Sequence, residues 1–190
     1  MSQNQEVYVS LEFTPNPNTL KYSVNRTLVE KGAANFVRKA DADERSPLAS
    51  RLLAVPGIAG VMLGKDFVTV TKTEDGDWDV VHKSASETIE SHLKDGLPVL
   101  NAGAMDGAGH KGSGSDQIEV KIREILDNEI RPAVAMDGGD ITFDRYEAGI
   151  VYLQMQGSCS GCPSSTATLK MGIETRLKDA IPDVISVEAV

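Results

Sequence analysis

The segment from Gly96 to Gln117 divides this chain of 190 residues into two parts. It reads GLPVLNAGAMDGAGHKGSGSDQ, contains six glycines and has almost no periodic apolar pattern. This composition is typical of a linker. We therefore predict a domain at residues 1–96, a linker at 97–115 and a second domain at 116–190. The second domain has about 75 residues, so we expect its stability to be modest.

The first domain shows the apolar periodicities of both strands and helices. Apolar residues alternate with polar ones near the start, as in a half-buried strand, and Ser46-Pro47 has the form of an N-cap followed by a first-turn proline. The predicted elements are, in order, a strand at 7–13, an extended or β segment, a short helix at 46–54, hairpin strands at 58–63 and 67–73, and a helix at 79–94.

The second domain has a clearer pattern, in the order α-β-β-α-β. A three-stranded sheet covered by two helices is a reasonable architecture for this order, and the chain as a whole falls in the α+β class, with two small domains. The predicted elements are a helix at 118–130 that stops near Arg131-Pro132, a turn at 137–140, strands at 141–146 and 150–156, a helix at 163–180 and a strand at 184–190.

Charge and hydropathy exclude several classes of function. The net charge is −9 with no basic patch, which argues against nucleic acid as a main partner. No apolar run approaches the roughly 20 residues that span a bilayer. The start, MSQNQEVYVS, lacks the features of a signal or transit peptide. We expect a bacterial cytoplasmic protein, or a mitochondrial matrix protein if the chain is a processed organelle form.

The two cysteines, Cys159 and Cys162, lie where a predicted strand ends and a predicted helix begins. Their i, i+3 spacing puts both sulfurs on one side of the first helical turn. Gly157 and Gly161 remove side chains where another group approaches the backbone. Because unpaired N–H groups at a helix start favour negative charge, we expect this site to lower the cysteine pKa values.

This arrangement admits three chemistries: a redox dithiol, half of a zinc site, or half of an iron–sulfur site. An inert cysteine pair at a tight turn is the alternative without function. Zinc and iron–sulfur sites want four ligands, and the second domain has two cysteines and no histidine. A complete sulfur site therefore needs two chains. The Cys-x-x-Cys spacing alone does not choose among the three chemistries.

Other candidate residues receive structural interpretations. We expect His82, His92 and His110 to be solvated surface residues. Asp137 and Asp140 flank two glycines, which favours a turn over a carboxylate pair. The linker glycines match no phosphate-binding pattern. We find no nucleophile, base and acid arranged for catalysis, and so we predict no enzyme.

The residues around the cysteines resemble a known family. The segments QGSCSGCPSS at 156–165 and TLKMGIE at 168–174 closely resemble the C-terminal domain of NifU and the related Nfu proteins. Ile130-Arg131-Pro132 and DGGD at 137–140 match that family as well. This resemblance covers nearly all of residues 116–190.

The first domain resembles the N-terminal domain of Nfu proteins. The similar segments are TPNPN at 14–18, Lys21-Tyr22 and VPGI at 55–58. Both domains occur in this order in bacterial and mitochondrial Nfu proteins.

The resemblance implies an iron–sulfur cluster scaffold or carrier. Its cluster would be [4Fe–4S], with [2Fe–2S] as the alternative, shared between two subunits of a homodimer. Cys159 and Cys162 of each chain would be the ligands. The partners would be an upstream assembly scaffold and the apo iron–sulfur proteins that accept the cluster. The rival hypothesis is a thiol–disulfide oxidoreductase that uses the same pair.

Overall fold

The structure, a computed structural model, describes residues 6–104, 117–161 and 163–190. For residues 163–165 it describes the backbone but not the side chains. Cys162 and His110 lie outside the described residues. The described chain forms two α+β units, each with its own sheet, and this confirms the predicted fold class. Among the described helices, none is long and apolar enough to cross a membrane.

The N-terminal unit contains a five-stranded sheet in the order β1-β2-β5-β4-β3, with every neighbouring pair antiparallel. Its elements are β1 (Val9–Phe13), β2 (Thr19–Val24), β3 (Ala34–Phe36), α1 (Lys39–Arg45), α2 (Pro47–Leu53), β4 (Ile58–Leu63), β5 (Phe67–Lys72) and α3 (Trp78–Lys94).

Helices α2 and α3 pack on one face of this sheet. Ser46 caps α2 as predicted, because its Oγ accepts a hydrogen bond from the Ala49 N–H at 3.0 Å. The predicted hairpin is β4–β5, and the predicted apolar face of α3 is buried. The aliphatic core of the N-terminal unit lies between these two helices and the sheet.

Three elements of the first domain differ from the sequence prediction. The predicted half-buried strand is β1, an edge strand whose apolar residues are largely exposed, with Phe13 at 85%. Strand β3 and helix α1 were not predicted. Strand β3 has three residues, and α1 buries a single side chain, Ala42, so neither has an apolar period that a sequence pattern reveals.

The C-terminal unit contains a three-stranded sheet in the order β6-β7-β8. Strands β6 and β7 are antiparallel, and β8 is parallel to β7 because α6 connects the two. The elements are α4 (Gln117–Ile125), a π-helical turn (Leu126–Ile130), α5 (Arg131–Met136), β6 (Gly139–Glu147), β7 (Ile150–Gly157), α6 (Pro163–Ala180) and β8 (Ser186–Ala189).

The predicted helix stop near Arg131-Pro132 is wrong. The chain passes from α4 through the π-helical turn directly into α5. Pro132 lies in the first turn of α5, where its fixed φ is compatible with the helix. The wider turn before it accommodates the proline ring, so the helical course continues to Met136.

Residues 97–104, the first part of the predicted linker, contact the N-terminal unit. Ser46 Oγ donates to the Val99 carbonyl at 2.7 Å, and Arg45 donates to the Ala104 carbonyl. His92 is completely buried and donates through Nε2 to the Pro98 carbonyl at 3.1 Å. The prediction that His92 is a solvated surface residue is therefore wrong.

Candidate metal centre

Cys159 lies in the turn between β7 and α6, as the sequence predicted. Its N–H donates to the Gln156 carbonyl at 3.3 Å, and the Ser160 N–H donates to the Gly157 carbonyl at 3.1 Å. Gly157 has a φ of +62°, a conformation that favours glycine. Cys159 carries a free thiol and is 6% exposed. The position of Cys162, the second predicted ligand, stays a prediction.

The predicted turn after α5, residues 137–140, lies directly under Cys159 and forms the floor of the site. A Cβ on Gly139 would lie 2.2 Å from the Cys159 sulfur, so glycine there makes room for the thiol. The turn is fixed to residues 158–160, the cysteine segment. Ser158 donates through Oγ to the Asp137 carbonyl at 2.6 Å and through its N–H to the Gly138 carbonyl at 3.2 Å. The sequence predicted the turn but not its role as a floor.

Asp140 forms an ion pair with Arg131 and does not act as half of a carboxylate pair. Arg131 donates to both Asp140 oxygens, through Nε at 2.8 Å and Nη2 at 2.9 Å. A third hydrogen bond links Arg131 to Asp127 at 2.9 Å. The bond with Asp140 is the main cause that raises the pKa of the Arg131 guanidinium. This pair fixes α5 to the start of β6, next to the floor under Cys159.

The environment of Cys159 favours the neutral thiol. Burial raises its pKa to about 11, a hydrogen bond with Ser158 opposes this shift, and the nearby carboxylates of Asp137 and Asp140 add to it. The expectation of a lowered pKa is therefore wrong for Cys159. A bound metal ion would reverse the balance, because it deprotonates a coordinating thiol outright.

The described part of the chain contains one cysteine, Cys159, whose sulfur could bind a metal. No group of three or more His, Cys, Asp or Glu side chains suitable for a metal ion occurs within residues 6–104, 117–161 and 163–190. With the predicted second sulfur of Cys162, each chain would offer two ligands. A cleft of about 430 Å³ opens beside the sulfur; its lining residues are Pro15, Val134, Asp137, Ser158, Cys159, Thr168 and Leu169.

The N-terminal unit contributes a side chain that sequence reasoning missed. Asn16 is 2% exposed, and its Nδ2 donates to the carbonyls of Ser160 at 2.8 Å and Ser158 at 3.3 Å. These carbonyls flank Cys159 in sequence. The TPNPN segment predicted a strand end and carried a family resemblance. It did not predict a contact with Ser158, 142 positions away.

Two family models match the chain, one for each unit. The model described as the scaffold protein Nfu/NifU N-terminal domain matches residues 9–96, and the NifU-like domain matches residues 122–188. Together with the cysteine segment and the two α+β units, these matches identify the family. The chain belongs to the Nfu family.

Curated relatives are similar to almost the whole chain. An NFU1 iron-sulfur cluster scaffold homolog, mitochondrial, from Drosophila sechellia is 40% identical over 186 residues, which are 98% of this chain and 66% of the relative. The protein of the same description from Drosophila grimshawi is 40% identical over 96% of this chain and 61% of its own length. The chain thus spans about two thirds of the length of these relatives.

Among solved structures, the solution NMR structure of a NifU-like protein from Saccharomyces cerevisiae is similar to 54% of this chain and 90% of its own, with a TM-score of 0.46 and 22% identity.

Proposed function

We propose that this chain is an iron–sulfur cluster scaffold or carrier, which binds a [4Fe–4S] cluster as its cargo through Cys159 and Cys162 and transfers it to apo-proteins. The observation that carries this proposal is the Cys159 thiol, which lies over Gly139 at the start of the turn into α6. Relatives described as iron-sulfur cluster scaffold homologs support the class of cargo.

The number of ligands favours a cargo shared between two copies of the chain. A [4Fe–4S] cluster takes four thiolate ligands, and this chain has two cysteines in total. A second copy related by two-fold symmetry, the commonest arrangement of homo-oligomers, would supply the other two. Such a shared site also suits transfer, because each chain holds the cargo by two bonds and the site lies at an interface.

The acid–base state of Cys159 makes it a poor attacking thiol for the rival function, a thiol–disulfide oxidoreductase. Exchange chemistry uses the thiolate, and redox-active Cys-x-x-Cys sites lower the pKa of the attacking thiol. Burial here raises the pKa of Cys159 to about 11. An attacking Cys159 would have to lose its proton against this burial, whereas an arriving iron displaces the proton itself.

We also propose a division of labour between the two predicted domains. Residues 116–190 would hold the cargo, and residues 1–96 would recognise the assembly scaffold that supplies it or the apo-proteins that accept it. The family-model boundaries at 9–96 and 122–188 support this division. The word mitochondrial in the relatives' names supports the predicted organelle location, and the bacterial cytoplasmic alternative stays a prediction.

Anaerobic reconstitution with iron and sulfide tests the proposal. We expect the intact chain to become brown and to form a dimer with one [4Fe–4S] cluster per two chains. Cys159→Ala and Cys162→Ala should each abolish uptake, because they remove half of the chain's thiolates. Ser160→Ala is the matched control between them and should load normally. Full iron content in either cysteine variant, or a monomer that holds four irons per chain, would contradict the proposal.

A further inference from the structure

The loop between β1 and β2 is built to hold Asn16 in one orientation. Thr14 Oγ1 donates to the Thr19 carbonyl at 2.8 Å, and the Asn16 N–H donates to Thr14 Oγ1 at 3.2 Å. Trp78 donates through Nε1 to the Pro17 carbonyl at 3.0 Å. The Asn16 Oδ1 accepts from the Asn18 N–H at 3.0 Å. Its acceptor is therefore satisfied within the loop, and both donor contacts of Nδ2 go to the cysteine segment.

A row of side chains across three strands extends this contact. Lys21 on β2, Thr69 on β5 and Met62 on β4 are direct neighbours in the sheet register. Lys21 donates through Nζ to the Met136 carbonyl at 3.1 Å, and Thr69 donates through Oγ1 to the Gly138 carbonyl at 2.8 Å.

Met62, the third residue of the row, lies against Gly157 at the end of β7. A Cβ on Gly157 would lie 2.8 Å from Met62 Cε, so the end of β7 touches the N-terminal sheet directly. The face of this sheet opposite α2 and α3 thus lies against the floor turn and the cysteine segment. Two polar side chains on this face, Lys21 and Thr69, are both buried, and both donate to carbonyls of the C-terminal unit.

From these contacts we infer that the N-terminal unit is a built-in cap on the cysteine segment, and that this cap competes with the second copy of the chain. The inference rests on the proposed function, in which a second copy brings its own cysteine pair to the shared cargo. That copy must approach Cys159, whose flanking carbonyls Asn16 already occupies. The capped chain is therefore the monomeric resting form, and uncapping precedes the bridged dimer.

Tethering gives the cap an advantage over a second copy. Two binding surfaces in one chain meet at an effective concentration on the order of millimolar, well above the usual concentration of a free partner. A few hydrogen bonds and one apolar contact are then enough to keep the cysteine segment covered. Binding of the cluster shifts the equilibrium back toward the dimer, because the bridged cluster binds the dimer and not the capped monomer.

Alkylation of Cys159 tests the cap without any cargo. In the Cys162→Ser background, iodoacetamide reacts with one cysteine, and its rate reports how often that thiol is uncovered. Asn16→Ala should raise this rate about tenfold, because it removes two hydrogen bonds from the closed form. Thr69→Val, which keeps the side-chain shape and loses the bond to Gly138, should raise it as well. Asn18→Ala is the matched control in the same loop, because Asn18 takes part in the loop through its backbone N–H.

Dimer formation during anaerobic reconstitution tests the competition, with both cysteines intact. Asn16→Ala and Thr69→Val should form the cluster-bridged dimer at a severalfold lower protein concentration than the unaltered chain. Circular dichroism melting confirms that each variant is folded.

Equal alkylation rates in all folded variants would overturn the cap. Faster alkylation together with weaker cluster uptake would overturn the competition, because it would show that Asn16 holds the segment in its ligating shape. A failure of the proposed function looks different from both outcomes: the unaltered chain takes up no iron, while the alkylation rates still report on the cap.

Discussion

Gly139 lies so close to Cys159 that a methyl group on the glycine would stand 2.2 Å from the cysteine sulfur. Gly139→Ala therefore forces the thiol out of its position. We expect the free energy of unfolding to fall by about 1–3 kcal/mol, as for other overpacked sites, and cluster uptake to fall with it. Urea unfolding of the apo-protein and iron content after reconstitution measure the two effects.

Gly172→Ala is the matched control for this change. Gly172 lies in α6, where a Cβ would meet no described atom within 4 Å. Alanine is the better helix former by about 1 kcal/mol, so this variant should be as stable as the parent or more stable. Equal stability of the two alanine variants would show that the Cys159 side chain moves aside without cost.

The ion pair between Arg131 and Asp140 should contribute more to stability than a similar pair at the surface. Arg131→Lys keeps the charge but loses the two-point geometry, and it leaves a buried carboxylate oxygen unpaired. We expect a loss of about 1–3 kcal/mol in the free energy of unfolding, as for other buried groups that lose a partner. Denaturant unfolding measures this loss.

Arg176→Lys is the control, because Arg176 also donates to both oxygens of a carboxylate, that of Glu129, at 2.7 and 2.8 Å. Both side chains of that pair are more than 40% exposed. An exposed pair is worth about 0–1 kcal/mol, so the control should lose little. A similar loss in both variants would refute the importance of burial at Arg131.

Buried His92 should make the stability of the N-terminal unit depend on pH. Burial is the main cause that lowers its pKa; Arg51, which donates to Nδ1 at 3.3 Å, adds to this, while the Pro98 carbonyl and Asp95 oppose it. The folded chain therefore resists protonation, whereas the unfolded chain binds a proton near the ordinary pKa of about 6.5. This contribution to stability is present above that value and is lost as the pH falls below it.

The His92→Gln variant isolates this effect, since glutamine does not titrate. Unfolding of the variant and of the parent by urea, at several values between about pH 7.5 and pH 5, gives the two slopes. The parent should lose more stability than the variant over this range. Parallel slopes would contradict the assignment to His92.

Helices with long apolar periods were predictable from the sequence. The apolar faces of α3 and α6 each repeat over about three turns, and Ile173 and Leu177 are buried as their spacing predicts. The turn that carries Cys159 was predictable for the same reason, because a clear strand and a clear helix flank it.

Other features depend on tertiary contacts that a one-dimensional pattern does not contain. Histidine is a polar residue, and the segment that helps to bury His92 follows α3 and has the composition of a linker. The pKa of Cys159 is raised mainly by burial of the thiol, which outweighs the effect expected from the nearby helix start. Asn16 meets the cysteine segment only because two sheets far apart in the sequence come together.

The burial of Met62 and Thr69 between the two sheets has a thermodynamic consequence. Because these side chains are buried only while the two units are in contact, the units should unfold cooperatively. The capped apo-chain should therefore melt in a single transition. Separation of the units exposes Met62 to water and removes this coupling. A chain whose cap has been displaced should then melt in two steps, with the N-terminal sheet and the C-terminal unit reporting their own midpoints.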